Sequence, residues 1–251
     1  DAFGRRLEAE CVSARVAGYG FQRGAVVAQS VRLSQAGLHL RVRSDWGDAD
    51  LEAPLLGRFN AANLLAVLTT LLVSGVKLDD ACRALAHITP PPGRMQTLGG
   101  NAHPLVVVDY AHSPDALDKV LATLREIVGG GRLVCVFGCG GNRDRGKRPL
   151  MGQSVARGAD ETWVTSDNPR NEDPRQIIDD ILAGMPAATS GAAVHVEPDR
   201  ARAIFEAIGN AQQGDVVLIA GKGHEDYQEI AGERLPFSDL AVARKALEAW
   251  T

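Results

Sequence analysis

Several absences narrow this sequence before any motif is considered. No apolar run approaches the roughly 18 residues of a membrane-spanning helix, and the N-terminus has no signal-peptide layout. No membrane contact is expected, and the protein reads as cytoplasmic. Cysteine is scarce: Cys11, Cys82, Cys135 and Cys139 are irregularly spaced and form no C-x-x-C pair. That spacing argues against a disulfide framework or a zinc ribbon, and no metal site is read. There is also no excess of positive charge. A net charge of -4 argues against a general nucleic-acid binder, although local basic loops survive that argument. What remains is 251 residues, 45% hydrophobic and 23% charged, enough for one large or two modest globular domains.

The most informative stretch is Val136-Phe-Gly-Cys-Gly-Gly-Asn-Arg-Asp-Arg-Gly-Lys-Arg-Pro149. An apolar run, Leu133 to Phe137, ends in a glycine-rich loop carrying Arg143, Arg145, Lys147 and Arg148, and a helical pattern opens at Pro149. Strand, loop and helix in this order favour an anion, because glycines admit a close ligand and a helix N-terminus offers free N–H groups. Gly141 to Lys147 spells G-x-x-x-x-G-K, but a P-loop needs Ser or Thr next, and Arg148 stands there. The guest is therefore read as a nucleotide phosphate or a substrate carboxylate. Cys135 reads as a small buried hydrophobe. The guanidiniums near Cys139 allow its pKa to be lowered, without assigning it a use.

Residues 1 to about 57 read as short strands, with Leu38, Leu40 and Val42 alternating against His39, Arg41 and Arg43. The period then becomes helical: Leu64, Leu68, Leu71 and Leu72 share a face, and a second helix covers Leu78 to Ile88. Asn60 and Asn63 sit at the first helix start, where Asn60 serves as an N-cap or the amides contact a nucleotide base. Pro90-Pro-Pro-Gly93 marks the domain boundary, with domains at 1–91 and 92–251. Arg94, just after it, either pairs with a surface carboxylate or points at a phosphate.

Beyond residue 104 strands and helices alternate. Strands are expected at Leu105 to Asp109, Leu133 to Phe137, Thr162 to Thr165, Ala193 to Val196 and Val216 to Ile219. Helices follow from Pro114, Pro149, Pro174, Asp199 and, after a short strand near Tyr227 to Ile230, Ser238. Ser113 before Pro114 and Asp173 before Pro174 each give an N-cap with proline at the first helical position. This is the pattern of an α/β, Rossmann-like, mostly parallel sheet with helices on both faces. The part before it reads as α+β.

Loops leaving the carboxyl ends of parallel strands share one edge, where ligands bind. Four of the five exits are chemically loaded: Asp109-Tyr-Ala-His-Ser-Pro114, the basic loop, Ser166-Asp-Asn-Pro-Arg170 and Gly221-Lys-Gly-His-Glu-Asp-Tyr-Gln228. Arg143 and Arg170 can each fork onto a carboxylate or phosphate, and Glu225 suits an ammonium. An amino acid with more than one carboxylate would satisfy that set, whereas Asn60, Asn63, Arg94 and Asp109 better suit a nucleotide.

Six ordered motifs, Gly57-Arg-Phe-Asn-Ala-Ala-Asn63, Pro92-Gly-Arg-Met95, Asp109-Tyr-Ala-His112, Gly138-Cys-Gly-Gly-Asn-Arg143, Asp167-Asn-Pro-Arg170 and Gly221-Lys-Gly-His-Glu225, together resemble the Mur ligases of peptidoglycan synthesis. The resemblance covers essentially the whole chain. It is most specific for the members that add meso-diaminopimelate to UDP-N-acetylmuramoyl-L-alanyl-D-glutamate, since lysine-adding relatives depart from Asp-Asn-Pro-Arg. It implies ATP-dependent amide formation through an acyl phosphate. Arg94 and His112 would be catalytic; Asn60, Asn63, Arg94 and Asp109 would face ATP. Arg143, Asp167, Asn168, Pro169, Arg170, Gly221 and Glu225 would hold the amino acid.

Such ligases also carry a P-loop in a central domain, and no G-x-x-x-x-G-K-[ST] occurs here. The chain, which begins at Asp1, thus resembles the end of the central ATPase domain followed by the C-terminal domain. The Mg²⁺ ligands are expected mainly in the missing region, the fragment alone is expected to be inactive, and the intact enzyme is expected to be a monomer. A lysine-adding or folylpolyglutamate-type ligase and a stand-alone amino-acid-binding module are the alternatives. A dinucleotide-dependent dehydrogenase is disfavoured by the missing G-x-G-x-x-G.

Overall fold

The structure, a computed structural model, describes residues 2–14, 16–185 and 193–251. The chain divides into two compact units, Asp1–Thr89 and Pro90–Thr251.

The first unit is α+β. It opens with a helix, α1 (Ala2–Glu10), where short strands alone were expected; none of its residues is buried. Four strands follow, β1 (Tyr19–Gly20), β2 (Val26–Ser34), β3 (Gly37–Ser44) and β4 (Gly47–Ala53), in the order β1-β2-β3-β4. Alternation decides the buried face: Leu38, Leu40 and Val42 point inward, while Arg41 and Arg43 pair across the strands with Asp50 and Asp48. Helices α2 (Arg58–Val73) and α3 (Leu78–Leu85) supply the other half of this core through Leu64, Leu65, Leu68, Leu72 and Leu85.

Helix α2 begins earlier than the sequence suggests. Gly57, at φ 90°, occupies the N-cap, so Asn60 lies inside the first turn. Its Nδ2 donates to Leu56 O at 2.8 Å, and Asn63 Nδ2 donates to Asn60 Oδ1 at 3.1 Å. Asn60 lies past the N-cap, with its Oδ1 taken by the Asn63 side chain, so the expected Asn60 cap is replaced by glycine. Helix α3 also stops at Leu85, short of the expected Ile88.

The second unit is a six-stranded sheet ordered β5-β6-β10-β7-β8-β9, with β5 (Gln96–Gly99) antiparallel at one edge and β6 (Leu105–Asp109), β7 (Leu133–Phe137), β8 (Glu161–Val164), β9 (Ala193–Val196) and β10 (Val216–Ala220) mutually parallel. The central strands β6, β7 and β10 are buried at every position. That requires cover on both faces. Helices α7 (Arg200–Gly209) and α8 (Asp239–Glu248) cover the face of Val106, Val108, Val134, Val136, Val217 and Ile219. Helices α4 (Pro114–Arg125), α5 (Lys147–Gly158) and α6 (Pro174–Leu182) pack in sequence over the other. A hairpin of β11 (Tyr227–Ile230) and β12 (Glu233–Pro236) projects after β10.

Ser113, Asp173, Asp199 and Ser238 each accept a backbone N–H at the start of a helix. Helix α5 starts at Lys147, two residues before the expected Pro149. Strand β10 inserts between β6 and β7, so α7 returns on the opposite face from α4, α5 and α6. The order therefore reverses beside β10, the place where open α/β sheets bind ligands.

Candidate ligand site at the strand exits

The four loaded loops surround one cavity of about 400 Å³ in the second unit. Tyr110 and His112 line it from the exit of β6, Gly138 to Arg148 from that of β7, Asp167, Asn168 and Arg170 from that of β8, and Gly221 and Glu225 from that of β10.

The β7 and β8 loops are built as one object. Gly138 and Gly141 leave no room for a side chain, since a Cβ would stand 2.3 Å from Thr165 O and 1.9 Å from Pro169 O respectively. Gly141 N donates to Asn168 O at 2.9 Å, and Arg170 Nη1 donates back to Gly141 O at 2.8 Å. Arg170 is held further by Glu229, 3.4 Å from its Nε, and by backbone bonds to Glu229 and Ala231 that keep its φ at 53°.

The four basic residues of the β7 loop separate into two roles. Arg148, 1% exposed, donates to Glu172 and Asp180 at 3.0 and 2.8 Å. Arg145 joins Glu172 at 2.9 Å. Burial opposes the charge of Arg148, but the hydrogen bonds it donates to the two carboxylates outweigh it and raise its pKa. In return, the Arg148 hydrogen bond and the Asn142 N–H hold the Glu172 carboxyl at about 2. Arg148 braces the loop from within, its charge taken up by two carboxylates, and the exposed Arg145 is engaged by Glu172 outside the cavity lining. Arg143 and Lys147 are both exposed, line the cavity and have no ion pair among the described residues. The expected anion site thus contracts to Arg143 and Lys147.

The β8 and β10 loops meet through buried polar groups. Asn168 Nδ2 donates to Glu225 Oε2 at 2.8 Å, and Lys222 Nζ donates to Asn168 Oδ1 and Glu225 Oε2 at 2.8 and 3.2 Å. Asp167 lies 3.6 Å from Lys222, and a Cβ on Gly221, at φ 118°, would approach its Oδ2 to 2.5 Å. Burial pushes the Asp167 carboxyl up against the opposing pull of Arg200 and Lys222. Pro169 contributes its carbonyl, which accepts from Glu172 N at 3.0 Å.

On the β6 side, Asp109 Oδ2 accepts from Met95 N at 2.9 Å and Oδ1 from Ala111 N at 2.8 Å. Burial raises its pKa in spite of these two bonds. The carboxylate thereby holds the Pro92-Gly-Arg-Met95 turn onto the strand exit. Arg94 lies over the Tyr110 ring at 5.3 Å, and His112 and His224 flank that ring at 4.6 and 5.3 Å. Asn60 and Asn63 belong to the first unit.

Cys139 is a correction to the possible low pKa: it is buried, 3.5 Å from Met151 Sδ, and burial pushes its thiol up to about 12. A thiol so protonated is a poor nucleophile at neutral pH. Sequence inspection also passes over Lys222 and Arg200. Lys222 carried a signal, a lysine between two glycines at a strand exit. Arg200, the first residue of α7, carried none, because its partners Ser166, Ala220 and Asp239 are brought to it only by the fold.

Among the described residues no three His, Cys, Asp or Glu side chains are grouped to hold a metal ion, and no helix is long and apolar enough to cross a membrane.

The comparisons agree with this geometry. The family model described as Mur ligase, glutamate ligase domain, matches residues 93–223, which includes the β6, β7 and β8 exits and the start of the β10 exit. A UDP-N-acetylmuramoyl-L-alanyl-D-glutamate–2,6-diaminopimelate ligase of Chromobacterium violaceum is 56% identical over 253 residues, covering 100% of this chain and 50% of the relative. The protein of the same name from Pseudomonas aeruginosa is 49% identical, with 100% and 51% covered. A solved ligase of that name superposes with a TM-score of 0.78 at 41% identity, covering 98% of this chain and 50% of that one. The folylpolyglutamate synthase of Thermotoga maritima, 18% identical with a TM-score of 0.62, shares the fold. The chain spans about half the length of the curated relatives it matches. With its parallel sheet, its glycine-built loops, a family model matched over residues 93–223 and relatives similar over its whole length, this chain belongs to the Mur ligase family.

Proposed function

We propose that the chain is the amino-acid-binding part of an ATP-dependent ligase that joins meso-diaminopimelate to UDP-N-acetylmuramoyl-L-alanyl-D-glutamate in peptidoglycan precursor synthesis. The observation that carries this is the charge content of one cavity: Arg143, Arg170 and Glu225 all line it, with Asn168 hydrogen-bonded to Glu225. Guanidiniums fork onto carboxylates, and a carboxylate accepts from an ammonium. Diaminopimelate has two ends of both kinds; lysine lacks the distal carboxylate that Arg170 and Asn168 would hold.

In this assignment Arg143, Asn168 and Arg170 face carboxylates, while Glu225 faces an ammonium. Gly221 and Asp167 shape the floor, and Pro169 sets the loop. Arg94 and His112, at the Tyr110 cluster, and Asp109 would serve ATP. The first unit is then the end of the central ATP-binding domain, and the intact enzyme acts as a cytoplasmic monomer. ATP would convert the side-chain carboxylate of the D-glutamate into an acyl phosphate. The diaminopimelate amine then attacks that carbonyl carbon, and inorganic phosphate leaves. The cavity residues would act by holding the amine in line and screening charge, the two effects that carry most of such a rate. Among the described residues no acidic group is gathered to hold a cation, and the Mg²⁺ ligands are assigned mainly to the part of the ligase outside this chain.

Phosphate release by the full-length gene product tests the proposal. Release should require ATP, Mg²⁺, the UDP-muramoyl dipeptide and diaminopimelate together. Equal release with L-lysine would sink the assignment of the amino acid, and no release with either would sink the ligase.

A further inference from the structure

Lys222 is 0% exposed, yet its Nζ stands among three polar side chains of the site: Asn168 Oδ1 at 2.8 Å, Glu225 Oε2 at 3.2 Å and Asp167 Oδ1 at 3.6 Å. A buried lysine needs such partners, because an unpaired ammonium away from water is strongly disfavoured. The consequence lies in what the partners can still do. Asn168 Oδ1 also accepts from Glu229 N at 2.9 Å, so both of its lone pairs are taken by donors. The amide is thereby fixed with its oxygen turned away and its Nδ2 turned toward Glu225. Nδ2 carries two hydrogens, and Glu225 Oε2 takes one. On Glu225, Oε2 receives both Asn168 and Lys222, while Oε1 accepts no hydrogen bond among the described residues. Both side chains line the cavity.

We infer that Lys222 is the positioning residue of the site: by occupying Asn168 Oδ1 and Glu225 Oε2 together, it makes Asn168 a donor and Glu225 an acceptor toward one zwitterionic ligand. This rests on the proposal that the ligand is diaminopimelate. Without the ammonium, Asn168 Oδ1 keeps only the Glu229 N–H and Glu225 Oε2 only the Asn168 amide, so the pair that aims Nδ2 and Oε1 at the ligand is held more loosely. Lys222 itself touches no ligand in this scheme and acts through Asn168 and Glu225.

Two measurements on the full-length gene product decide it. In ligand-free protein carrying ¹⁵N-asparagine, the Asn168 side-chain amide protons should exchange with solvent at least about tenfold faster in Lys222→Met than in wild type, since their hydrogen bond to Glu225 loses its anchor. By calorimetry, Lys222→Met should weaken diaminopimelate binding by about tenfold or more. In an Asn168→Ala background the same substitution should cost clearly less than in wild type, because one of the two residues it acts through is gone. Lys222→Leu, which also lacks a donor, serves if the methionine variant does not fold. Unchanged exchange in a folded variant, or fully additive losses in the double variant, would overturn the inference. Failure of the wild type to bind diaminopimelate would remove the functional proposal instead, leaving the exchange measurement to decide the positioning role alone.

Discussion

Arg200 and Asp239 face one another as a two-pronged ion pair, both bonds 2.8 Å long, with both side chains fully buried beneath the cavity floor. Arg200 also donates to Ser166 O and Ala220 O, the backbone at the ends of β8 and β10. Burial disfavours its charge, but Asp239 outweighs that and raises the Arg200 pKa. One guanidinium therefore ties two ligand loops to the start of α8.

Removing one partner of such a pair leaves the other charged and unsatisfied. Asp239→Ala is expected to lower unfolding stability by about 3–5 kcal/mol, read from urea denaturation. A loss below about 1 kcal/mol, the size expected of an exposed pair, would show that the pair does not anchor the floor.

Gly141 has a steric reason to lack a side chain. Its Cβ would lie 1.9 Å from Pro169 O, so Gly141→Ala must push the two loops apart. Overpacking of this kind costs about 1–3 kcal/mol, and the Arg170 bond to Gly141 O should break with it. The variant should bind diaminopimelate more weakly by calorimetry; wild-type affinity would show that the joined loops do not set the site.

Glu172 links stability to pH. Its folded pKa, about 2, lies below the ordinary 4.5 because Arg148 and the Asn142 N–H favour the carboxylate. A depressed carboxyl contributes stability that is complete above the unfolded value and lost as pH falls through the folded one. Between about pH 4.5 and 2 wild type should therefore lose stability more steeply than Glu172→Gln. Parallel acid limbs in chemical denaturation would contradict this.

Much of the second unit was legible because its signals are local. Ser113–Pro114 and Asp173–Pro174 announce helices through capping chemistry, and the runs at Leu105 and Leu133 announce buried strands through composition. The insertion of β10 between β6 and β7 was not legible, because parallel pairing is set by packing between distant segments. For the same reason the sequence singled out Arg143 but did not separate Lys147 from Arg145 and Arg148. Only the fold brings Glu172 and Asp180 to Arg148 and leaves Arg143 and Lys147 open. Lys222 stood inside a recognised motif, but its burial depends on Asn168, 54 positions earlier.

The central claim is that Arg170 distinguishes a ligand with a distal carboxylate from one without. The most direct measurement is the ratio of kcat/KM for meso-diaminopimelate to that for L-lysine, in the full-length gene product and in Arg170→Ala. The account predicts a strong preference for diaminopimelate in wild type that falls by about tenfold or more in the variant, the worth of a charge-assisted hydrogen bond. A variant that keeps the wild-type ratio would contradict it.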